Sequence, residues 1–428
     1  MEERTPCCPG TTLFHQERVG GITYRIPALL YIPPTQTLLA FAEKRATVND
    51  DDALFLVLRR GQRMGQYVQW GPQESLMEAT LPGFRTMNPC PVWEQKRRQV
   101  FLFFICVRNH VSERQQICRG KNAARLCFVS SSDEGRSWSQ IRDLTEEVIG
   151  EEVAHWATFA VGPGHGLQLQ SGRLVIPAYA YRFNRMVRCL GHPLWGRARP
   201  HSLMFYSDDL GATWEHGQLL QSGQTIECEV AEVMNPDGCP MLYCSARTPG
   251  RYRAEALSAD QGEHFGKVSL CCELREPRHG CQGSVVSFQS KTCLPVEVAP
   301  NGENVSSGQP PTLPGTPPEG QDGGKPPASW LLYSHPTSSK RRLNLGIYLN
   351  RAPLEAVCWS QPWILHKGPS GYSDLAVLEE GLFGCLFECG EKHETEQITF
   401  QLFTDQELLK HISEDRSGLD SVSNWSGD

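Results

Sequence analysis

Apolar residues fall in short runs separated by Gly, Pro, Asn or Asp along most of the chain. Runs at 54–58, 100–107, 174–176, 203–206, 241–244, 284–288, 330–333, 346–349 and 382–387 are rich in Val, Ile, Leu, Phe or Tyr. That length and composition predict strands rather than helices. Helical periodicity is scarce. Thr404-Asp-Gln-Glu407 reads as a capping box, followed by an apolar stripe at Leu408, Leu409 and Ile412. A second short helix is predicted over 145–153. Many strands at hairpin spacing imply an all-β sandwich, barrel or propeller.

A repeat narrows the choice. Ser131-Ser-Asp133-Glu-Gly135-Arg-Ser137-Trp138 and Ser207-Asp-Asp209-Leu-Gly211-Ala-Thr213-Trp214 share one pattern, and Ser258-Ala-Asp260-Gln-Gly262-Glu-His264-Phe265 is a decayed third copy. The chemistry suits a hairpin turn: Asp accepts backbone N–H bonds, Gly takes positive φ and the aromatic ring packs beneath. An EF-hand would need more acidic ligands ending in Glu. These boxes therefore belong to folding, and their recurrence points to a propeller.

Residues 300–327 differ from their surroundings, with eight prolines and six glycines among 28 positions. Such a segment cannot bury enough apolar surface to offset its ordering entropy. Strand signals resume at Trp330, so the expectation is one domain over 1–428 carrying a disordered insertion at about 291–329, with flexible termini.

Net charge is −7 across 428 residues, which gives no basic field of the kind nucleic-acid binding requires. The longest apolar run, 100–107, is far short of a membrane-spanning helix, and the N-terminus lacks the basic and apolar regions of a signal peptide. The 17 cysteines show no metal spacing, which suits a reduced protein with small core thiols. Cys7 and Cys8, adjacent near the terminus, could accept acyl chains or be idle. Asn304 and Asn424 stand in glycosylation sequons that matter only in the secretory pathway.

No Walker, dinucleotide, serine-hydrolase or zincin motif is present. What remains is a set of arginines beside strand patterns: Arg25 in Tyr24-Arg25-Ile26-Pro27, Arg247 after the 241–244 run, and Arg342 before Leu343. Singly, each reads as a surface arginine. Together they make a forked cationic site for a carboxylate.

The Tyr-Arg-Ile-Pro motif upstream of repeated aspartate boxes resembles the exo-sialidase family, from about Phe14 to Phe403. The resemblance implies an all-β, six-bladed β-propeller and removal of terminal sialic acid. It implies that Arg25, Arg247 and Arg342 grip the sugar carboxylate, with Arg341 the alternative register for the third. Glu388 would buttress the first arginine. Tyr372 would be the nucleophile, Glu227 its base with Glu229 the competitor, and Asp50 the acid/base in a run with Asp51 and Asp52. Arg45, Met87, Asn88, Glu113, Tyr179 and Tyr181 would line the sugar pocket.

These roles are chemically coherent. The substrate's own carboxylate repels an attacking Asp or Glu, whereas a neutral phenol approaches without that cost. No metal or cofactor is implied. The likeness is greatest to the branch that acts on gangliosides at the plasma membrane and on endosomal membranes, which implies sialylated glycolipids and a peripheral membrane surface as partners and no nucleic acid. A cytosolic sialidase of soluble sialoglycoconjugates and a non-catalytic glycan-binding propeller are the alternatives.

Overall fold

The computed structural model describes residues 10–183, 186–189, 192–195, 198–235, 237–289, 329–355, 358–378 and 381–420. The segment 300–327, the cysteines at 7 and 8 and both sequons lie outside the described residues.

Every run expected to be a strand lies in one. The strands assemble into antiparallel sheets. The first covers 23–75 and the second 84–143, each with four strands. The third covers 156–216 with five, and the fourth covers 228–275 with four. Met186–Cys189 and His192–Trp195 form a separate two-stranded sheet. A seven-stranded sheet takes the rest, and its long strand Trp363–Val377 pairs with Leu343–Asn350 through its first half and with Leu382–Cys389 through its second. The N-terminal strand Thr11–His15 pairs with Gln397–Thr404, so the two ends of the chain close against each other.

The core explains the ring. One apolar cluster packs the first sheet on the second, through Leu30, Phe41, Leu102 and Phe104. The next packs the second on the third, through Phe103, Phe128, Phe159 and Trp214. Others join third to fourth and fourth to seven-stranded sheet. Leu13, Phe14, Leu29, Leu38 and Leu386 then seal the last strands onto the first sheet. Strands buried on both faces need continuous apolar sequence, and Leu382–Cys389 is buried at every position. The architecture is all-β and propeller-like.

All three aspartate boxes have the same wiring, including the decayed one. Ser131, Ser207 and Ser258 each donate from Oγ to the box Asp and accept the box Gly N–H. The Asp then accepts the backbone N–H four residues on, at Ser137, Thr213 or His264. Gly135, Gly211 and Gly262 have φ of 77°, 85° and 95°, and the residue before each is also left-handed.

The helix over Asp405–Asp420 starts as expected, with Thr404 and Glu407 exchanging side-chain and backbone bonds. The segment 145–153 forms a wide π turn, Thr145–Ile149, and a 3-10 turn, Gly150–His155, in place of an α-helix. One helix was not expected: Glu113–Arg119, capped by Ser112 and Gln115.

Candidate functional site

One cavity of about 240 Å³ gathers Arg25, Arg45, Asp50, Met87, Asn88, Glu113, Tyr179, Tyr181, Glu227, Arg247, Arg342 and Tyr372 from all round the ring. Glu388 lies directly beneath, fully buried.

Bulges aim the first residues. Pairing shifts between Arg25 and Ala28 and between Met87 and Cys90, and there Ile26 and Asn88 adopt φ of 62° and 59°. A left-handed β-branched residue is costly and needs its surroundings to hold it. Glu388 supplies that hold. One carboxylate oxygen accepts Ile26 N–H at 2.9 Å and Arg25 Nε at 3.0 Å, and the other accepts Arg25 Nη2 and Tyr372 N–H at 3.1 Å. Burial alone would raise the Glu388 pKa, but Arg25 and these bonds hold it below the ordinary value.

Arg25 lies inside the strand Thr23–Ile32 rather than ahead of it. Arg247 follows the strand Pro240–Ala246 and Arg342 precedes Leu343–Asn350. The guanidinium carbons of Arg25 and Arg342 stand 5.3 and 5.2 Å from the centroid of the Tyr372 ring. Arg247 Nη1 donates to Tyr372 Oη at 2.9 Å and to Glu227 Oε2 at 2.6 Å. The Tyr372 phenol donates to Glu227 Oε1. Burial, then the Glu227 charge, push the phenol well above its ordinary pKa, so it rests neutral. Arg342 lines the cavity, whereas Arg341 is exposed and does not.

A 3-10 turn over Asp50–Asp52 fans its three carboxylates apart. Asp50 accepts Arg45 Nη1 at 2.5 Å and faces Arg25 at 3.9 Å. Asp51 faces Arg85 at 3.5 Å, and Asp52 accepts Thr47 Oγ1. Of the three, only Asp50 lines the cavity. Burial would raise its pKa, but Arg45, Arg25 and Arg342 together lower it. Glu113, at the start of the unexpected helix, is exposed along the cavity wall, yet the protein packed round it, then Glu227 and Asp50, lift its pKa to about 7. Tyr179 Oη lies 3.4 Å from it.

Glu229 lies elsewhere. Fully buried, it accepts Gln282 Nε2 at 3.1 Å and Val285 N–H at 2.9 Å, with His165 at 3.6 Å. His165, Glu229 and Asp374 offer ligand atoms within 4.8 Å of one another, yet their oxygens already have protein donors. None of the three lines the cavity that holds Tyr372.

Sequence reading missed the residues behind the site. Glu43, fully buried, accepts Arg45 Nε at 2.8 Å and Asn88 N–H at 2.7 Å. The Gln282 amide donates to Ser373 O and accepts Ser373 N–H, both at 3.0 Å, which pins the residue after Tyr372. Ile26-Pro27 and Asn88-Pro89 carried a usable signal, since proline inside a strand marks a bulge.

A profile described as a BNR repeat-like domain matches residues 36–385. The chain is 64% identical to Sialidase-3 of Homo sapiens over 421 residues, covering 97% of each chain. It is 63% identical to Sialidase-3 of Bos taurus over 425 residues, again covering 97% of each. The crystal structure of an intramolecular trans-sialidase from Ruminococcus gnavus superposes with a TM-score of 0.65 at 16% identity, covering 93% of this chain and 98% of that one. This last likeness concerns the fold alone. With an arginine-ringed tyrosine–glutamate pair at the centre of its propeller, the chain belongs to the sialidase family of glycoside hydrolases.

Proposed function

We propose that this enzyme removes terminal sialic acid with retention of anomeric configuration, through a covalent intermediate on Tyr372. The observation that carries the reading is the Tyr372 phenol bonded to Glu227 with Arg25, Arg247 and Arg342 around it. The arginines receive the sugar carboxylate, and Glu388 holds Arg25 in place. In the first step Glu227 takes the phenol proton as the phenol oxygen bonds to the anomeric carbon, and Asp50 gives a proton to the leaving oxygen. In the second, Asp50 takes a proton from water as it attacks that carbon, and Glu227 returns its proton to the departing phenol.

The free site holds Asp50 ionised, which is the wrong state for an acid. The bound carboxylate corrects this by neutralising Arg25 and Arg342, two of the charges that depress Asp50. Arg45, Met87, Asn88, Glu113, Tyr179 and Tyr181 would contact the rest of the sugar. A fluorinated sialyl donor should leave an adduct on Tyr372 detectable by mass spectrometry. An adduct on another residue, or a product of inverted configuration, overturns the scheme.

We read the seven-stranded sheet as two propeller units sharing the strand Trp363–Val377, which makes six units in one domain. The apolar cluster between its halves, with Leu332 and Leu349 against Phe383 and Phe403, supports that division. The proposed substrates are gangliosides, reached from a peripheral position on the plasma membrane. Among the described residues no helix is long and apolar enough to cross a membrane, and Cys7 and Cys8 offer acylation sites. Hydrolysis of a ganglioside but not of a soluble sialoglycoprotein, with carbonate-resistant and hydroxylamine-sensitive membrane association, would support this. A fully soluble enzyme would overturn it.

A further inference from the structure

Two pairs of residues repeat one spacing. Tyr372 and Asp374 are two apart on the strand Trp363–Val377, and Glu227 and Glu229 are two apart where the strand Cys228–Met234 begins. The first members, Tyr372 and Glu227, bond directly to each other. The second members are joined through His165, whose Nδ1 donates to Asp374 Oδ1 at 2.7 Å and stands 3.6 Å from Glu229 Oε2. The segments that carry the phenol and its partner carboxylate are therefore tied together twice, once directly and once through an imidazole two residues further along each.

Both carboxylates are anchored in turn. Asp374 Oδ2 accepts Leu29 N–H at 2.6 Å, from the strand that bears Arg25, and Oδ1 accepts Ser284 Oγ–H at 3.0 Å. Glu229 accepts Gln282 Nε2 and Val285 N–H, and Gln282 holds Ser373, the residue between Tyr372 and Asp374. The loop before His165 packs tightly on this group, since a Cβ at Gly164 would overlap Glu229 Oε1.

The Asp374 and Glu229 side chains are fully buried, and that of His165 is 12% exposed. Burial would lower the His165 pKa, but Asp374 and then Glu229 raise it to about 9, so the ring is cationic at neutral pH. Burial pushes the Glu229 pKa up, and His165 pulls it back. Without the ring, two buried acids would face each other with no cation between them, which desolvation and mutual repulsion both oppose.

A substrate at Tyr372 does not reach His165. The imidazole lines a separate cavity of about 220 Å³ with Leu29, Val230, Val286 and Leu375, and the two cavities share no lining residue. Any effect of His165 on turnover must pass through the placement of the two segments it joins.

We propose that His165, by bridging Asp374 and Glu229, sets the spacing between Tyr372 and Glu227 and is a positioning residue of the reaction. The inference rests on the reading of Tyr372 as nucleophile and Glu227 as its base. Proton transfer between them requires hydrogen-bond reach, about 2.6–3.2 Å, and a misplacement of about 1 Å costs roughly 10²-fold in rate. Among the described residues Arg25, Arg247 and Arg342 have no hydrogen bond to His165, Asp374 or Glu229, so carboxylate binding should be spared.

The test measures full-length variants on a soluble fluorogenic sialoside, with kcat expressed per site trapped by a fluorinated sialyl donor. His165→Leu fills the space without a polar contact and should lower kcat about 100-fold with KM nearly unchanged. His165→Asn places an amide nitrogen where Nδ1 stands and should recover most of that loss. If His165→Leu fails to fold because Asp374 is left buried without its cation, His165→Leu/Asp374→Asn removes that charge and takes its place, with the same loss expected. Wild-type kcat per trapped site in the leucine variant overturns the proposal, even where less urea unfolds it, since His165 then only packs. A raised KM with normal kcat also overturns it, by assigning the cluster to substrate binding. So does a His165→Asn protein as slow as the leucine variant. A wild-type adduct away from Tyr372 would instead refute the proposed chemistry, and kcat of the leucine variant would still decide whether the cluster serves turnover.

Discussion

The Tyr372 phenol donates to Glu227 Oε1 across 145 positions of sequence, and Arg247 Nη1 bridges the same two side chains at 2.9 and 2.6 Å. The three groups form a closed set in which Arg247 compensates the base while the pocket is empty. A substrate carboxylate that draws on Arg247 removes part of that compensation.

Tyr372→Phe removes one oxygen and leaves Glu388 its backbone bond to residue 372. We expect the fold to survive and turnover to fall below detection. Glu227→Gln keeps the shape but cannot accept the proton, and should lower kcat by roughly 10²–10⁴-fold. Steady-state kinetics with circular dichroism checks both; near-normal kcat in Tyr372→Phe would remove the tyrosine from the mechanism.

The arginines should differ kinetically. Arg342 Nη2 donates to Gly280 O at 3.2 Å, and among the described residues it has no hydrogen bond to Glu227 or to Tyr372 Oη. Arg342→Ala should therefore act mainly on KM, by about 10- to 150-fold for a lost charge-assisted contact. Arg247→Ala also frees Glu227, so kcat and KM should change together. Equal kinetic signatures for the two variants would argue against separate roles.

The sequence exposed some features of this site and hid others for physical reasons. The aspartate boxes are legible because each turn is wired within seven residues, and even Ser258 to Phe265 keeps the wiring with its Trp replaced. Candidate groups of the right chemistry are legible as types, but consecutive residues are not separable by type. Asp50, Asp51 and Asp52 diverge only because a 3-10 turn fans them toward Arg45, Arg85 and Thr47. Glu227 and Glu229 are two apart in sequence, but the strand Cys228–Met234 begins between them, so one meets Tyr372 and the other Gln282. Supporting groups such as Glu43 and Gln282 are invisible in one dimension. Their partners, Asn88 and Ser373, are 45 and 91 positions away and are brought near only by tertiary packing.

Activity should be acid-sided. Glu113 titrates at about 7, so it is neutral below that pH and adds negative charge above it, in a pocket that must accept an anion. We expect kcat/KM to decline through pH 7 by up to about tenfold per unit. Glu113→Gln, neutral throughout, should flatten that limb, which full pH profiles would reveal. An unaltered alkaline limb in this variant would assign the decline to another group.

Acid stability should depend on Glu276, which lies below the loop that carries Cys281 and Gln282. Arg253 Nη1 and His335 Nε2 each stand 3.2 Å from it, and Cys281 N–H donates to it at 3.0 Å. Burial would raise its pKa, but Arg253 and His335 lower it to about 2. A depressed carboxyl pKa stabilises the fold above its ordinary value of 4.5 and loses that contribution as pH falls from there toward 2. The full effect is about 3 kcal/mol. Glu276→Gln leaves Arg253 buried without its counter-charge and should cost about 3–5 kcal/mol at neutral pH. Glu276→Leu/Arg253→Met removes both charges and should be less destabilised than the single variant. Urea denaturation at neutral and acid pH measures all three. A Glu276→Gln protein as stable as wild type at neutral pH, with the same loss in acid, would show that this pair neither holds the loop nor sets the acid limit.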